Sequence, residues 1–491
     1  MGVKKNDVNY EGVSNSRSME ILHVAAECFP MAKAGGLGDV VGALPKYQVQ
    51  LGHTAKVVIP MYRTPFLYKH EWELVHEGGS YLGAQFFHYS VIKEKSNLLG
   101  FDLYLVDING LLDREKVYGY DDDTERFLAF QIAVCDWINR WVHLPEVVHC
   151  HDHHTGLLPF MMNYSFDFRQ RLAIVPTVFT VHNAQYQGAF GWNKNFLLPA
   201  YDSWKWSMMD WKGLINPLAA AVKCAWRVTA VSPSYLEELQ VSAAGLETLF
   251  AHEKSKSFGI LNGIDTQVWD PASDSYLLHH YGVNTLEKGK RANKEEICRH
   301  FNLDPDRPLC SFVGRLVGEK AADLLPAAIA DIIHHNPGRI NFVVLGSGDP
   351  VIETKLKQLK DSLTDSYGVY IGYEEALSHL LYAGSDFLLM PSRVEPCGLN
   401  QLYALRYGTL PIVRNVGGLR DTVEDIGDEG GFGIRFDQAS QWDISYSLRR
   451  AIDLYYKEPE KLLTLQRRMM NIDHSWHKAA QQYLDLYINM N

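Results

Sequence analysis

At 491 residues, 46% of them hydrophobic and 21% charged, the chain is long enough for two or three packed domains and too apolar for a disordered one. Its formal charge of −11 offers no basic surplus to neutralise nucleic-acid phosphates, and no apolar stretch is long enough to span a bilayer. Seven cysteines, odd in number and without a Cys-x-x-Cys pair, argue against a disulfide framework and for reduced thiols in the cytoplasm.

Residues 1–18 are polar with no apolar core, so they read as a disordered leader rather than a secretory signal. A first strand is expected at 21–26, then a loop over 27–39 and a helix over 40–51 stopped by Gly52. Strands follow at 55–60 and 101–107, helical spacing at 124–141, and strands at 147–151 and 175–181. A strand at 227–232, followed by a helix at 233–240, closes this half. The pattern restarts with strand 309–314, helix 320–335, strand 341–346 and helix 351–363. Strands at 369–372, 387–390 and 410–413 complete it, and the stretch from Tyr455 is helical, with Trp476 and Tyr483 as packing anchors. Strand–helix alternation in two blocks predicts an α/β chain of two doubly wound domains with parallel sheets. The join falls between Asp270 and Asp306, where Asp, Pro, Lys and Gly concentrate. Ligands of such sheets bind outside the carboxyl ends of the strands, so a cleft between the domains is the natural site.

Several constellations sit at those strand ends. Ser392-Arg393-Val394-Glu395-Pro396-Cys397-Gly398-Leu399 joins an apolar strand to a helix, placing a carboxylate and free N–H groups where sugar hydroxyls and phosphate can be held. Lys33-Ala34-Gly35-Gly36-Leu37-Gly38-Asp39 is a Gly-rich loop whose amides can approach an anion, but its spacing is neither a Walker loop nor a dinucleotide fingerprint. Arg315 and Lys320 place two cations at an expected helix amino terminus, against the helix dipole unless an anion such as a diphosphate binds there. His182-Asn183 and Asn262 supply the donors and acceptors that sugar hydroxyls need, and Tyr373 can stack on a base. Gly417-Gly418 repeats the Gly-rich pattern and is expected to finish a phosphate cradle. His149-Cys150-His151-Asp152-His153-His154 matches no zinc spacing and reads as a cleft-lining segment, with no metal.

Taken together, Lys33 to Val40, Thr180-Val181-His182-Asn183, Val231-Ser232-Pro233-Ser234-Tyr235, Leu261-Asn262-Gly263-Ile264-Asp265, Gly314-Arg315-Leu316 and Arg393 to Leu399 closely resemble the bacterial glycogen synthase and plant starch synthase family. The resemblance implies the GT-B architecture: two Rossmann-like domains, 19–285 on the acceptor side and 286–470 on the nucleotide-sugar side, around a deep cleft, with 471–491 crossing back to the first. It implies retaining transfer of glucose from ADP-glucose to the non-reducing end of an α-1,4-glucan such as glycogen, without cofactor or metal. By position, Arg315 and Lys320 would hold the leaving diphosphate, assisted by Lys33 and the Gly36 amide. Glu395 would bind the glucose hydroxyls with the Gly398 and Leu399 amides, and His182 and Asn262 would face the sugar. Tyr373 would stack near the adenine, and Asp39, Tyr118, Asp152 and Asn183 would face the acceptor.

The chain departs from the family pattern at Glu319 and Ala321, where Gln and Gly are usual, at Ala219-Ala220-Ala221 in place of Lys-Gly-Gly, at His153 in place of Trp, and at Val394 in place of Phe. The alanine tract is expected to remove a charge and two flexible points near the domain junction. Tyr403 stands where the wider superfamily has a second Glu, a change shared by glycogen synthases. Three rivals are weighed against this reading. An oxidoreductase would need the dinucleotide fingerprint, which neither Gly-rich loop has. A non-catalytic glucan-binding relative would be expected to lose Arg315, Lys320, His182 or Glu395, all of which are present. A UDP-glucose enzyme differs only in a few contacts around Tyr373.

Overall fold

The structure, a computed structural model, describes residues 18–490, so all of the expected leader except Ser18 lies outside the described residues. The first sheet is built from β1 (Glu20–Val24), β2 (Thr54–Pro60), β3 (Trp72–Leu82), β4 (Gln85–Glu94), β5 (Asp102–Asp107), β6 (Val147–His151), β7 (Thr177–Val181), β8 (Arg227–Ala230) and β9 (Ser257–Gly259). Its order is β9-β8-β7-β6-β1-β2-β5-β4-β3. Neighbours from β9 to β5 run parallel, whereas β4 runs antiparallel to both β5 and β3. β6 and β7 are buried along their whole length, as strands of a parallel sheet covered on both faces are.

The second sheet contains β10 (Leu309–Val313), β11 (Asn341–Gly346), β12 (Tyr367–Ile371), β13 (Phe387–Met390), β14 (Leu410–Arg414) and β15 (Ile434–Phe436), in the order β12-β11-β10-β13-β14-β15 and parallel throughout. Each sheet has its own large apolar core. The chain crosses back through a bridge between Ile264 and Ser475, then forms a last helix, Trp476–Ile488, that packs on the helix Gly36–Gln50 of the first lobe. Trp476, Tyr483 and Tyr487 are buried there among Ile21, Val40, Leu44 and Tyr47. Each large apolar side chain removed from water in this way contributes on the order of 2 kcal/mol.

Four expectations need correction. The helix expected at 40–51 begins at Gly36, so the Gly-rich segment forms its first turn rather than a free loop. The hairpin β3–β4 was not read from the sequence, and β8 is not the last strand of its half, because β9 follows it. Both additions lie at sheet edges, and β3 is exposed or half-buried along its whole length, so neither shows an apolar run. The helix expected at 320–335 begins only at Leu325; Gly318–Lys320 and Ala322–Leu324 are single 3₁₀ turns. Ala321 links those turns at φ 52°, a left-handed conformation that the glycine usual in the family would adopt without the steric cost of a Cβ, about 1 kcal/mol. Finally, Ala219, Ala220 and Ala221 are not at a junction: they are fully buried in the helix Pro217–Cys224, which Asn216 caps through Ala219 N–H.

Candidate active site

Between the two sheets lies a cleft of about 940 Å³. From the first lobe it is lined by the segments after β1, β6 and β7, and from the second by those after β10, β11, β12 and β13. Strand ends face it because parallel strands release their chains at the same edge of the sheet. All fourteen residues given a place at the donor or acceptor by the resemblance line this one cleft: Lys33, Gly36, Asp39, Tyr118, Asp152, His182 and Asn183 in the first lobe, Asn262 just after β9, and Arg315, Lys320, Tyr373, Glu395, Gly398 and Leu399 in the second.

Their contacts add what spacing could not. Lys320 Nζ lies 2.7 and 2.6 Å from the two carboxylate oxygens of Glu395, and Ser392 Oγ donates to Glu395 at 2.8 Å. Glu395 is 5% exposed, so this partnered carboxylate is held away from bulk water. Because Lys320 stands in a 3₁₀ turn and not at a long helix's start, its charge is balanced by Glu395 and the expected dipole penalty does not arise. Lys33 pairs with Asp39 at 2.8 Å; burial raises the Asp39 carboxyl above its usual range, and Lys33 opposes the rise. Asp152 accepts from the His182 backbone N–H at 2.8 Å, and burial pushes its carboxyl up to about 7. Asn262 is buried at the cleft wall with its Oδ1 unpartnered among the described residues, as suits a residue awaiting a polar ligand. Tyr373 is 71% exposed at the mouth, with its hydroxyl on Glu375 and its ring face open.

Arg315 and Glu319 couple the lobes. Glu319 Oε2 accepts from Arg315 at 3.0 Å, while its Oε1 accepts from Asn183 Nδ2 of the first lobe at 3.1 Å. Tyr186 reaches the same carboxylate at 3.4 Å and also accepts from Arg315 at 3.4 Å.

Two expectations fail here. His149 and His151 do not line the cleft; both are fully buried beneath it, and only Asp152, His153 and His154 of that run reach the wall. Gly417-Gly418 does not join a phosphate cradle. It begins the short helix Gly417–Thr422 under the Glu395 turn, where Gly417 N–H donates to Glu238 at 2.8 Å and Gly418 N–H to the Glu395 carbonyl at 3.1 Å. Gly417 has φ 46°, and a Cβ there would lie 2.0 Å from the Glu395 carbonyl oxygen. Gly417→Ala is therefore expected to displace the turn, lowering stability by about 1–3 kcal/mol and activity with it, as thermal unfolding and transfer assays would show.

Glu27 was missed altogether. It accepts from the Ala34 and Gly35 amides at 2.6 and 3.0 Å and from the Tyr118 hydroxyl at 2.6 Å, so it shapes the Gly-rich turn from behind. Burial raises its carboxyl above the usual range despite those donors. A lone carboxylate after a strand carries no motif that could have flagged it.

Comparison with known proteins places this cleft in context. Residues 20–252 match the family model described as starch synthase catalytic domain, and residues 293–464 match that of glycosyl transferases group 1. The chain is 52% identical over 469 residues to a glycogen synthase from Flavobacterium johnsoniae, covering 96% of this chain and 98% of that one. It is 36% identical over 480 residues to a glycogen synthase from Streptococcus pneumoniae, covering 96% and 99%. Among solved structures, the catalytic domain of starch synthase IV from Arabidopsis thaliana, bound to ADP and acarbose, superposes with a TM-score of 0.88 at 30% identity, covering 96% of this chain and 99% of that one.

Proposed function

The chain belongs to the glycogen synthase and starch synthase family of GT-B glucosyltransferases, enzymes of glucosyl transfer in glycogen synthesis, and from that premise we propose ADP-glucose as its donor, the non-reducing end of an α-1,4-glucan as its acceptor and the cytoplasm as its compartment. The observation that carries the reading is the convergence of Arg315, Lys320, Glu395 and His182 on one cleft between two nucleotide-binding-type sheets. The ADP and acarbose held by the plant relative support a nucleotide diphosphate on one side and a glucan on the other. We assign 19–285 to the acceptor side, 286–470 to the donor side and 471–491 to the return helix.

In this reading Arg315 and Lys320 take the diphosphate oxygens, with Lys33 and the Gly36 amide beside them. Arg can grip an oxygen pair in parallel, and Lys acts as a compact charge. Glu395 then turns from Lys320 to the glucose hydroxyls, next to the Gly398 and Leu399 amides, while His182 and Asn262 face the same sugar. Tyr373 offers its open ring to the adenine. Asp39, Tyr118, Asp152 and Asn183 lie toward the acceptor. The bond from glucose C1 to the phosphate oxygen breaks as C1 bonds to the acceptor O4 on the same face. The O4 proton passes to the departing phosphate oxygen, giving ADP and a glucan one residue longer. The diphosphate carries the developing charge, so the preorganised cations stabilise the transition state more than the ground state.

Calorimetric titration with ADP-glucose and UDP-glucose, followed by radiolabel transfer to glycogen, tests the proposal. Transfer from ADP-glucose well above that from UDP-glucose is expected; transfer from UDP-glucose alone, or from neither, would overturn it. The Glu319 departure has its own consequence. Its carboxylate competes with the donor for Arg315, so Glu319→Gln is expected to lower the KM for the nucleotide sugar roughly threefold, the worth of a half-exposed ion pair.

A further inference from the structure

Beneath the cleft a line of buried polar groups runs inward from His182. His182 Nε2 lies 3.0 Å from His151 Nδ1, and His151 Nε2 lies 3.0 Å from His23 Nδ1. His23 Nε2 in turn lies 2.8 Å from Gln48 Oε1. Gln48 Nε2 donates at 3.3 Å to the Tyr487 hydroxyl of the return helix, whose oxygen is 2.7 Å from His149 Nδ1. His149 Nε2 closes the run on Thr180 Oγ1 at 2.6 Å. His23, His149, His151, Gln48 and Tyr487 are all fully buried.

His23, His149 and His151 approach closely enough to suggest a metal site, since one ligand atom from each lies within 4.8 Å of the others. Every ring nitrogen of the three already has a hydrogen-bond partner, however, and no carboxylate joins them. The arrangement is therefore a proton-ordered relay.

Its direction follows from elementary donor counting. Burial keeps these rings neutral, with His23 lowered to about 4 and His182 to about 3, so each ring carries one N–H and one bare nitrogen. With its amide nitrogen on Tyr487, Gln48 presents its oxygen to His23, and that oxygen can only accept. His23 Nε2–H must donate to it, leaving His23 Nδ1 to accept from His151 Nε2–H. His151 Nδ1 then accepts from His182 Nε2–H. His182 Nδ1 is left bare, on a half-buried ring that lines the cleft, with no partner among the described residues. Were Gln48 to reverse, every proton would reverse, and His182 Nδ1 would become a donor.

We propose that Gln48, His23, His151 and Tyr487 are positioning residues for glucosyl transfer: they form a directional hydrogen-bond relay from the return helix to the cleft that holds His182 as its Nε2–H tautomer, so that Nδ1 meets the donor sugar as an acceptor of a hydroxyl proton. The proposal rests on the assignment of His182 to the donor sugar.

The test uses the full-length protein with ¹⁵N-labelled histidine. Multiple-bond ¹H–¹⁵N correlation reads the tautomer of His182, assigned by its loss in His182→Ala. The wild-type enzyme is expected to show the Nε2–H form alone at pH 7.5. Tyr487→Phe keeps the ring but removes the hydroxyl that orients Gln48, and Gln48→Leu removes the terminal acceptor. Both are expected to give a mixed tautomer signal and a kcat lower by roughly tenfold, with the KM for ADP-glucose within twofold of wild type. If Gln48→Leu does not fold, Tyr487→Phe alone decides. An Nδ1–H tautomer in the wild type, or an unchanged tautomer and kcat in Tyr487→Phe, would overturn the relay. Unchanged kcat in His182→Ala would instead overturn the underlying assignment of His182, so the two failures are distinguishable.

Discussion

Lys320→Ala and Glu395→Ala are each expected to lower kcat for transfer to glycogen by at least about a hundredfold. The two side chains form one unit in the cleft, with Lys320 Nζ bridging both oxygens of Glu395. In the proposed function the donor would divide that unit, taking the ammonium for its phosphate and the carboxylate for its sugar. Neither group has a substitute in its place, so removing either leaves the departing charge or the ring hydroxyls without a fixed partner. Because both act on the same transition state, the double variant is expected to be little worse than either single one, a non-additivity that a double-mutant cycle would measure. The stability effects should be unequal. Without Lys320, Glu395 stays buried with only the Ser392 hydroxyl on it, which costs about 1–3 kcal/mol; without Glu395, the partly exposed Lys320 can turn to water at little cost. Near-normal rates in both single variants, with folding intact, would remove the site assignment.

The thermal stability of the first lobe is expected to fall steeply as pH drops below about 6.5. Desolvation lowers His23 to about 4, His153 to about 4 and His182 to about 3, and holds His149, His151 and His154 well below the ordinary imidazole range. The unfolded chain protonates all of these near 6.5, while the folded one does not until far lower. Between those limits the unfolded state binds more protons, so stability is retained above about 6.5 and lost on acidification. The slope is roughly 1.4 kcal/mol per pH unit for each such histidine. Asp152 works in the opposite direction. Its carboxyl is raised to about 7, so the folded state binds a proton there that the unfolded state releases, and acidification toward 4 favours folding at that one group. Burial raises Glu27, Asp39 and Asp107 of the same lobe in the same sense, so these four carboxyls oppose the six imidazoles and the larger set leaves a net loss. Calorimetry at pH 7.5 and 5.0 should show unfolding of the first lobe shifted down by several degrees. A flat profile over that range would mean that these rings are not held neutral.

Much of this was readable from the chain, and what was not has definite causes. Central parallel strands such as β7 and β11 announce themselves because both faces are buried and most of their residues are apolar or β-branched. The hairpin β3–β4 is hidden because it lies at an edge with much of its surface in water. Boundaries slipped where turns are short: Gly36 opens a helix although glycine is a poor helix former, and Lys320 sits in a 3₁₀ turn that no periodicity marks. Motif order placed the cleft residues on the right strand ends. It could not show that Glu319 reaches Asn183 across the cleft, nor that Gln48 and Tyr487, 439 positions apart, meet above His23. Those pairings depend on how the lobes and the return helix come together, and a linear pattern contains no such distance.

Each cation among the described cleft residues is already matched by an acid: Lys33 by Asp39, Arg315 by Glu319 and Lys320 by Glu395. The cleft is thus an internal salt, and under the proposed function a phosphate would claim a cation only by displacing a carboxylate. An evicted carboxylate needs hydroxyl groups to accept from, and glucose brings them on the same molecule as the phosphate. Inorganic phosphate brings none, and a bare nucleotide has only its ribose hydroxyls and no glucose on the diphosphate. On the proposed function, discrimination between an intact sugar nucleotide and its fragments would therefore follow from this pairing of charges.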